Sequence, residues 1–387
     1  MKKSLSIVMV FFTLCAMLVA QPASETTAAK ESASAVRTVT VTDMSGDTVT
    51  VEGEVKSIIN LWPAGTSSFF VMGAGSLVDG LAVNNPGTVN SWAELFYPGA
   101  SNIPSLGGTT PAIEELAALD PDLVIVHPMT AKTGFAQQIR DMGIPAVNIN
   151  FSDYESMMTA YTFLGEILGG VYKERLDSWC EMIVAKQAEI SALTAGIENR
   201  PVVYYIGGQS DSLTTTMGQN SICADWTETA GGIYLSSLTS SPTSTELTAE
   251  EIFTIDPDVI IVGGTWQRTL MEELETKEGW KELKAVKNGR VYGNPYGAFA
   301  WDRFGLESYF QLEYALMCIQ PGIAEANGIN RDHMIGEILD FYSMMGIGLT
   351  QAQAENMFDV LEPDGSMPKA ASGGPGQGMS GTAGSGR

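Results

Sequence analysis

One stretch of this 387-residue chain occurs twice, and it constrains the fold more than any other feature. Residues 114–126 (EELAALDPDLVIV) and 250–262 (EEIFTIDPDVIIV) are identical at seven of thirteen positions. Each copy predicts a short helix, an Asp-Pro-Asp turn and an apolar strand, because proline cannot extend a helix and disfavours helical backbone in the residue before it. An apolar strand without alternation is typical of a parallel sheet covered on both faces. The sequence therefore predicts two similar α/β lobes, one in each half.

A long stretch without proline separates the two copies. From Ser152 to about Ala195, apolar residues recur at helical spacing, and Ser152 is a suitable helix cap. We therefore predict a helical bridge between the lobes, divided by Gly169-Gly170 into a short helix and a long one. The predicted organisation is a signal peptide at 1–20, a flexible leader at 21–36, an N-terminal α/β lobe at 37–150, a bridging helix at 151–196, a C-terminal α/β lobe with terminal helices at 197–361, and a disordered Gly/Ser-rich tail at 362–387.

The formal net charge of the chain is −24. Binding to nucleic acid requires a Lys/Arg surface that neutralises phosphates, so this charge argues against nucleic acid as a partner. The charge does not argue against a small anionic ligand, because a local pocket can differ from the mean field of the protein.

The N-terminus predicts export from the cytoplasm. Two lysines precede an apolar run at residues 5–19, and small residues follow at 20 and 23, which is the pattern of a secretory signal peptide. Cys15 follows Leu14, where lipidation would require a small residue, so we predict no lipid anchor at Cys15. A retained membrane anchor is the alternative, but the apolar run is short for a membrane span.

Residues that carry chemistry are few. Cys180, Cys223 and Cys318 are far apart, which predicts buried free thiols and leaves one disulfide open. Two histidines, His127 and His333, are too few for a multi-histidine metal site, and we find no nucleophile elbow, Walker A motif or dinucleotide fingerprint. These features argue against an enzyme and against a resident cofactor. The alternative is a secreted α/β enzyme that uses His127, which hydrogen bonds from His127 to a serine and a carboxylate would support.

The candidate ligand-binding residues lie in loops that follow strands, where α/β folds form their sites. They are Trp62, Ser67, Trp92, Tyr97, His127 and Met129 in the first lobe, and Gln209, Trp266, Tyr296, Phe299, Trp301 and Arg303 in the second. Aromatic faces suit a macrocycle or an aryl chelate, because they bury a large area at low entropy cost. For each aromatic residue, the alternative is packing in the core.

Two polar residues of this set also have alternative roles. His127 directly follows the strand at 123–126, so we expect it in the cleft as a neutral, hydrogen-bonding histidine and not as a metal ligand. For Arg303 the alternatives are a salt bridge to Asp302 or Glu307 and charge-assisted bonding to an anionic chelate, and we favour the second. His333 is expected to be structural.

The ordered motifs resemble the iron-complex and cobalamin class of ABC-transporter substrate-binding proteins. They are VTD at 41–43 with GDTV at 46–49, FVMGAG at 70–75, both Asp-Pro-Asp units, MGIP at 142–145, AGG at 230–232 and GWKELKAVKNGRVY at 279–292. The resemblance covers roughly residues 36–361. It implies two Rossmann-like lobes bridged by a long α-helix, the helical-backbone fold of periplasmic binding proteins, with the ligand between the lobes.

The resemblance also implies a function and partners. We expect a monomer that binds a small-molecule metal chelate, in the first place a ferric siderophore, and delivers it unaltered to an ABC permease in the membrane. Haem and a corrinoid such as cobalamin are alternative ligands. In the family, one glutamate of each lobe faces an arginine pocket on the permease, and the matching residues are Glu114 and Glu250. The alternative is that both only cap helix starts. The missing lipid-attachment motif favours a periplasmic location.

Overall fold

The structure is a computed structural model that describes residues 36–131 and 133–368. The predicted signal peptide, residues 21–35 of the predicted leader and the tail beyond residue 368 lie outside this part of the chain and stay predictions. Within the described part, no helix is long and apolar enough to cross a membrane.

The first part of the fold, the N-terminal lobe, contains a hairpin and a parallel sheet. The antiparallel hairpin is formed by β1 (Thr38–Thr42) and β2 (Thr48–Glu52). The sheet strands are β3 (Ile58–Asn60), β4 (Val78–Leu81), β5 (Leu123–Val126) and β6 (Ala146–Asn148). The helices are α1 (Thr66–Val71), α2 (Ser91–Phe96), α3 (Ile113–Leu119), α4 (Pro128–Ala131) and α5 (Phe135–Asp141).

Two helices connect this lobe to the second sheet. They are α6 (Tyr154–Leu168) and α7 (Gly170–Thr194), and Gly169, at φ 68°, separates them as the Gly-Gly pair predicts. The first turn of α6 is fixed by a capping box, in which Asp153 and Ser156 bond to each other's backbone N–H. The 25-residue helix α7 buries Trp179 and Ile183, and Trp179 Nε1 donates to the carbonyl of Leu306 at 2.7 Å.

The second part of the fold, the C-terminal lobe, repeats the pattern and adds terminal helices. Its strands are β7 (Val202–Ile206), β8 (Ile233–Tyr234), β9 (Val259–Val262) and β10 (Val291–Gly293). Its helices are α8 (Ile222–Thr229), α9 (Ala249–Ile255), α10 (Gln267–Thr276), α11 (Lys284–Lys287), α12 (Ser308–Ile319), α13 (Pro321–Ala326), α14 (Arg331–Met344) and α15 (Gln351–Phe358).

The two sheets have the same topology. The first has the order β4-β3-β5-β6 and the second has the order β8-β7-β9-β10, and all neighbouring strands in both are parallel. When strands are counted along the chain within each lobe, both orders read 2-1-3-4. The predicted α/β class with two similar lobes is therefore confirmed, and the repeated unit supplies the third strand of each sheet.

The Asp-Pro-Asp turn ends its helix in the same way in both lobes. Asp120, at φ 48°, and Asp256, at φ 53°, adopt the left-handed conformation immediately after α3 and α9. Aspartate tolerates this conformation better than most side chains do, and the proline that follows disfavours right-handed helical backbone. The predicted helix ends are confirmed.

The second aspartate of each turn aligns the neighbouring strand. Asp122 Oδ2 accepts hydrogen bonds from the backbone N–H groups of Lys56 and Ser57, just before β3, at 2.7 and 3.0 Å. Asp258 Oδ2 accepts from the backbone N–H of Val202, at the start of β7, at 2.8 Å. Each carboxylate therefore accepts hydrogen bonds from backbone N–H groups at the start of the first strand of its sheet, and it lies in the turn before the third strand. This contact explains why the turn recurs with its sheet.

A single apolar core extends through both lobes. Adjacent strand residues face opposite sides, so Ile58 lies in this shared core and Ile59 lies in a separate cluster on the outer face of the first sheet. The shared core also contains Val203 of the second sheet, Trp179 of α7 and Phe310 of α12. The two sheets are thus joined through the bridging and terminal helices. The boundaries of the lobes stay a prediction.

The three cysteines of the described chain are free thiols. Cys223 and Cys318 are buried, as predicted, and burial raises the pKa of Cys318 to about 12. Cys180 is half-buried on α7.

Candidate functional site

The loop between β10 and α12, residues 294–307, lies where the lobes meet, and we name it the junction loop. Asn90 of the N-terminal lobe donates from Nδ2 to the carbonyl of Gly297 at 2.8 Å. The ring centroid of Phe304 lies 6.4 Å from that of Trp62, which follows β3. The junction loop of the C-terminal lobe therefore contacts the segments that follow β3 and β4 in the N-terminal lobe.

An aromatic cluster forms at this contact. Phe151 lies 4.4 Å from Trp62 in an edge-on arrangement and 5.5 Å from Phe304, measured between ring centroids. Trp62 and Phe151 are buried, and Phe304 is half-buried. The sequence analysis identified Trp62 but missed Phe151 and Phe304, because neither stands in a motif that distinguishes a cleft aromatic from a core aromatic.

Arg303 is held rigidly by hydrogen bonds at the carboxyl end of β7, in the second sheet. Its Nε donates to Asp302 Oδ1 at 2.9 Å, and one Nη donates to the hydroxyl of Tyr205 at 2.8 Å and to the carbonyl of Gly207 at 2.9 Å. Burial is the largest single influence and lowers the pKa of Arg303, but the combined effects of its neighbours, chiefly Asp302 and Tyr205, raise that pKa above its ordinary value. The salt bridge to Asp302 that we considered as an alternative is therefore present. The second Nη takes no part in this network, so the ion pair with Asp302 leaves N–H donors of the guanidinium for other partners.

Gln209 covers the remaining nitrogen of Arg303. In the amide orientation that satisfies both groups, Gln209 donates to the carbonyl of Gly207 at 3.0 Å and its oxygen accepts from Nη1 of Arg303. Gln209 is exposed, whereas Asp302 and Tyr205, the side-chain partners of the other guanidinium nitrogens, are buried. Gln209 and Arg303, the two polar candidates of the C-terminal lobe, therefore lie in direct contact.

Two glycine pairs make this arrangement possible, and the sequence analysis missed them. Gly207-Gly208 follows β7 and Gly263-Gly264 follows the adjacent β9. A Cβ on Gly208 would overlap the carbonyl of Gly263, and a Cβ on Gly263 would overlap the carboxylate of Asp302. The signal that could have found them is a Gly-Gly pair directly after each of two neighbouring strands.

His127 lies at the end of the central strand β5, and only 9% of its surface is exposed. Its Nδ1 accepts a hydrogen bond from the backbone N–H of Met129 at 3.1 Å, and burial lowers its pKa. Within the described chain, the ring makes no hydrogen bond to a serine or a carboxylate. The arrangement that would have supported the enzyme alternative is thus not among the described contacts.

Three predicted aromatic residues pack in the protein core and not in a cleft. Trp92 is completely buried, lies 6.2 Å from Phe96 and donates from Nε1 to the carbonyl of Leu361. Trp301 is completely buried and lies 4.8 Å from Phe310. Because neither tryptophan has exposed surface, this structure favours the alternative of core packing for both. Tyr97 is half-buried, stacks at 6.0 Å on Phe70 and is therefore also better explained by packing.

The other predicted residues differ in exposure. Met129 is 68% exposed, and Trp266, Tyr296 and Phe299 are half-buried. Ser67 is buried, and its hydroxyl has no hydrogen-bond partner among the described residues. Partial exposure leaves ring surface available to a ligand at Trp266, Tyr296 and Phe299.

A buried carboxylate fixes the aromatic part of the junction loop. Glu307 accepts hydrogen bonds from the backbone N–H of Ala298 at 3.0 Å and of Phe299 at 2.7 Å, and from the hydroxyl of Tyr342. Burial raises the pKa of Glu307 to about 7, although these three hydrogen bonds lower it. The backbone that carries Tyr296 and Phe299 is therefore held by a group that titrates near neutral pH.

Glu114 and Glu250 occupy equivalent exposed positions in the first turns of α3 and α9. Neither carboxylate forms an ion pair or a side-chain hydrogen bond with another described residue. The capping role in α9 belongs to Glu251, which exchanges hydrogen bonds with Thr248. Capping therefore does not explain Glu250.

A preformed site for a bare metal ion is not found in the part of the chain that the structure describes. No group of three or more His, Cys, Asp or Glu side chains there is arranged to hold a metal ion.

Comparisons with known proteins identify the family. A family model described as "Periplasmic binding protein" matches residues 80–296. The chain is 26% identical over 262 residues to an uncharacterized ABC transporter substrate-binding lipoprotein, YvrC, of Bacillus subtilis, which covers 66% of this chain and 77% of that protein. It is also 26% identical over 202 residues to the Fe(3+)-citrate-binding protein YfmC of B. subtilis, which covers 51% of this chain and 61% of that protein.

A solved structure has the same fold. A periplasmic solute binding protein from Veillonella parvula superposes with a TM-score of 0.69 at 24% identity, over 85% of this chain and 99% of that one. The family model covers more than half of the residues, including both Asp-Pro-Asp turns and the ends of β5 and β9. This chain belongs to the periplasmic binding protein family.

Proposed function

We propose that this protein is an extracytoplasmic substrate-binding protein that captures a metal chelate between its lobes and delivers it to an ABC permease. The observation that carries the proposal is the junction loop, which places Phe304 against Trp62 and holds Arg303 beside Gln209. Aromatic faces and a guanidinium in one place suit a large anionic complex, because rings contribute area and the guanidinium contributes charge-assisted hydrogen bonds.

Among chelates, we favour an anionic ferric complex of the siderophore kind. Arg303 stays charged at all physiological pH values, and its Nη1 donates to the amide oxygen of the exposed Gln209. A relative from B. subtilis is named for binding Fe(3+)-citrate, whose carboxylates are natural acceptors for a guanidinium. Haem and a corrinoid remain the alternatives, since each presents a large ring face and acidic or amide side groups.

The proposed contact set follows from exposure and position. It contains residues near the strand ends that are not completely buried, and its members are Trp62, His127, Met129, Gln209, Trp266, Tyr296, Phe299 and Arg303. Ser67, in the first turn of α1, is a further member, because its hydroxyl has no partner among the described residues and lies 3.7 Å from where a Cβ on Gly305 of the junction loop would stand.

The proposed permease contact uses one carboxylate from each lobe. Glu114 and Glu250 are exposed, equivalent by the internal repeat and free of the capping role that Glu251 takes. Two charges at fixed separation on a stiff protein can orient it on a two-fold permease, because rim charges steer association more than they stabilise a fold.

The experiment that tests the proposed function is a visible absorption spectrum of the protein purified from its own host, followed by release and mass analysis of the bound compound. We expect a ferric, haem or corrinoid band and a released chelate of intact composition. A colourless protein that also fails to bind ferric citrate, haemin and cyanocobalamin would contradict the proposal.

A further inference from the structure

The ring of His127 is fixed by its own turn. The carbonyl of His127 accepts hydrogen bonds from the backbone N–H of Thr130 at 3.0 Å and from its hydroxyl at 2.8 Å. The backbone N–H of Met129 then points at Nδ1 of the ring, at 3.1 Å. The imidazole is therefore held from within a four-residue turn at the carboxyl end of β5.

The contact with Met129 determines the tautomer. A backbone N–H can only donate, so Nδ1 of His127 must carry a lone pair, and the proton of the neutral ring is on Nε2. Nε2 makes no hydrogen bond to any residue within 36–131 or 133–368. It is also not one of the fully buried side-chain atoms that lack a partner in this part of the chain. Nε2–H is consequently a donor that the described residues do not use, at the edge where α/β folds bind ligands.

A metal needs a nitrogen lone pair, and in the tautomer that the Met129 contact favours this ring has none free. The lone pair on Nδ1 is occupied by the N–H of Met129, and Nε2 carries the proton. Arg303, the cationic member of the proposed contact set, can also only donate. Both side chains therefore suit acceptor oxygens on a ligand.

We propose that His127 recognises the ligand as an Nε2–H donor to a ligand oxygen and does not coordinate its metal. This inference rests on the proposed function and narrows it. At His127 the ligand therefore presents an acceptor oxygen and not an open metal position, as a chelate with carboxylate, hydroxamate, catecholate or amide oxygens on its surface does. Complexes that need an imidazole nitrogen of the protein to complete the metal's coordination sphere are disfavoured.

The tautomer can be measured directly, because the chain has only two histidines. Long-range proton–nitrogen spectra of protein labelled with ¹⁵N-histidine, assigned with His127→Gln and His333→Gln, report which ring nitrogen is protonated. We expect an unprotonated Nδ1 and a protonated Nε2 for His127. A protonated Nδ1 with a bare Nε2 would overturn the assignment.

Metal coordination is tested with Co²⁺ alone, added to the same labelled protein. We expect no selective broadening of the His127 ring signals. Broadening of these signals by Co²⁺, lost in His127→Gln and kept in His333→Gln, would show that His127 is a metal ligand and overturn the proposal.

The donor role is tested by affinity for ferric citrate, haemin and cyanocobalamin. For whichever chelate binds, we expect His127→Phe to weaken binding about 10-fold, the loss of one hydrogen bond, and His127→Asn, which keeps an N–H donor, to restore most of it. His333→Gln is the matched control and should bind like the wild type, since His333 bonds to Glu313 between α14 and α12. Equal affinity of His127→Phe and the wild type would overturn the donor role. If none of the three chelates binds to any variant, the proposed function fails, whereas the spectra and the Co²⁺ titration still decide the role of His127.

Discussion

The side chain of Asn90 in the N-terminal lobe donates a 2.8 Å hydrogen bond to the carbonyl oxygen of Gly297 in the C-terminal lobe. Gly297 has no space for a side chain, because a Cβ there would overlap the carboxylate of Glu307. The peptide at Gly297 is thus fixed from one lobe by an amide and from the other by a buried acid. A hinge at this point would have to break both contacts.

These contacts predict little closure when a ligand binds. Trp92 of the N-terminal lobe also donates to the carbonyl of Leu361, beyond the last helix, and a shared core joins the sheets. Large domain closure requires a few residues that absorb large backbone changes, and the lobes here are joined by packed helices and not by free loops. Small-angle scattering with and without ferric citrate should give nearly the same radius of gyration. A large compaction with ligand would contradict this prediction.

Glu307 predicts a pH dependence of stability. Its pKa is about 7 in the folded protein and near 4.5 ordinarily, so between these values the folded state binds more protons than the unfolded state. The free energy of unfolding should therefore fall as pH rises from about 4.5 to about 7, by up to about 1.4 kcal/mol per pH unit from this group. Urea denaturation at several pH values should show a smaller fall for Glu307→Gln. If the free energy of unfolding falls equally with pH in the wild type and in Glu307→Gln, this prediction is wrong.

Glu114 and Glu250 are predicted to act in transport and not in ligand binding. The double substitution Glu114→Lys/Glu250→Lys should leave chelate affinity unchanged and abolish uptake in cells. The matched control is Glu52→Lys/Glu275→Lys, which makes the same change in net charge at two other exposed glutamates. Normal uptake by the first double variant, or loss of ligand binding, would show that the docking assignment is wrong.

Arg303 is predicted to serve both stability and binding. Arg303→Ala leaves Asp302 buried without its cation, which costs about 3–5 kcal/mol of stability, so folding of the variant is checked first by thermal denaturation. Its affinity for an anionic chelate should fall by about 1.5–3 kcal/mol, the scale of a hydrogen bond to a charged group. Tyr205→Phe is the control, because it disturbs the same network and keeps the guanidinium. A folded Arg303→Ala protein with undiminished affinity would leave the arginine a structural role only.

Local chemistry made the fold predictable. The Asp-Pro-Asp turns end their helices through backbone preferences of aspartate and proline, and Gly169 separates the two bridging helices for the same kind of reason. Such effects are determined within a few residues. They recur wherever the short sequence recurs, which is why the repeat predicted two equivalent sheets.

The candidate site was less predictable because burial depends on distant partners. Trp62 follows β3 and Trp92 lies in the first turn of α2, but Trp62 meets Phe304 of the junction loop and Trp92 meets Leu361. No property of the local sequence distinguishes them. Arg303 and Asp302 are neighbours in sequence, so their ion pair could be considered in advance. The additional role of Tyr205, nearly a hundred residues away, could not.

The most direct test of the central claim is a calorimetric titration of the purified protein with ferric citrate, haemin and cyanocobalamin, followed by recovery of each ligand for mass spectrometry. We predict that one of them binds with 1:1 stoichiometry and a Kd between micromolar and nanomolar, about 8–12 kcal/mol, and is recovered unaltered. A ligand recovered in a chemically altered form, or the absence of binding for all three, would contradict the account of a chelate-binding transport protein.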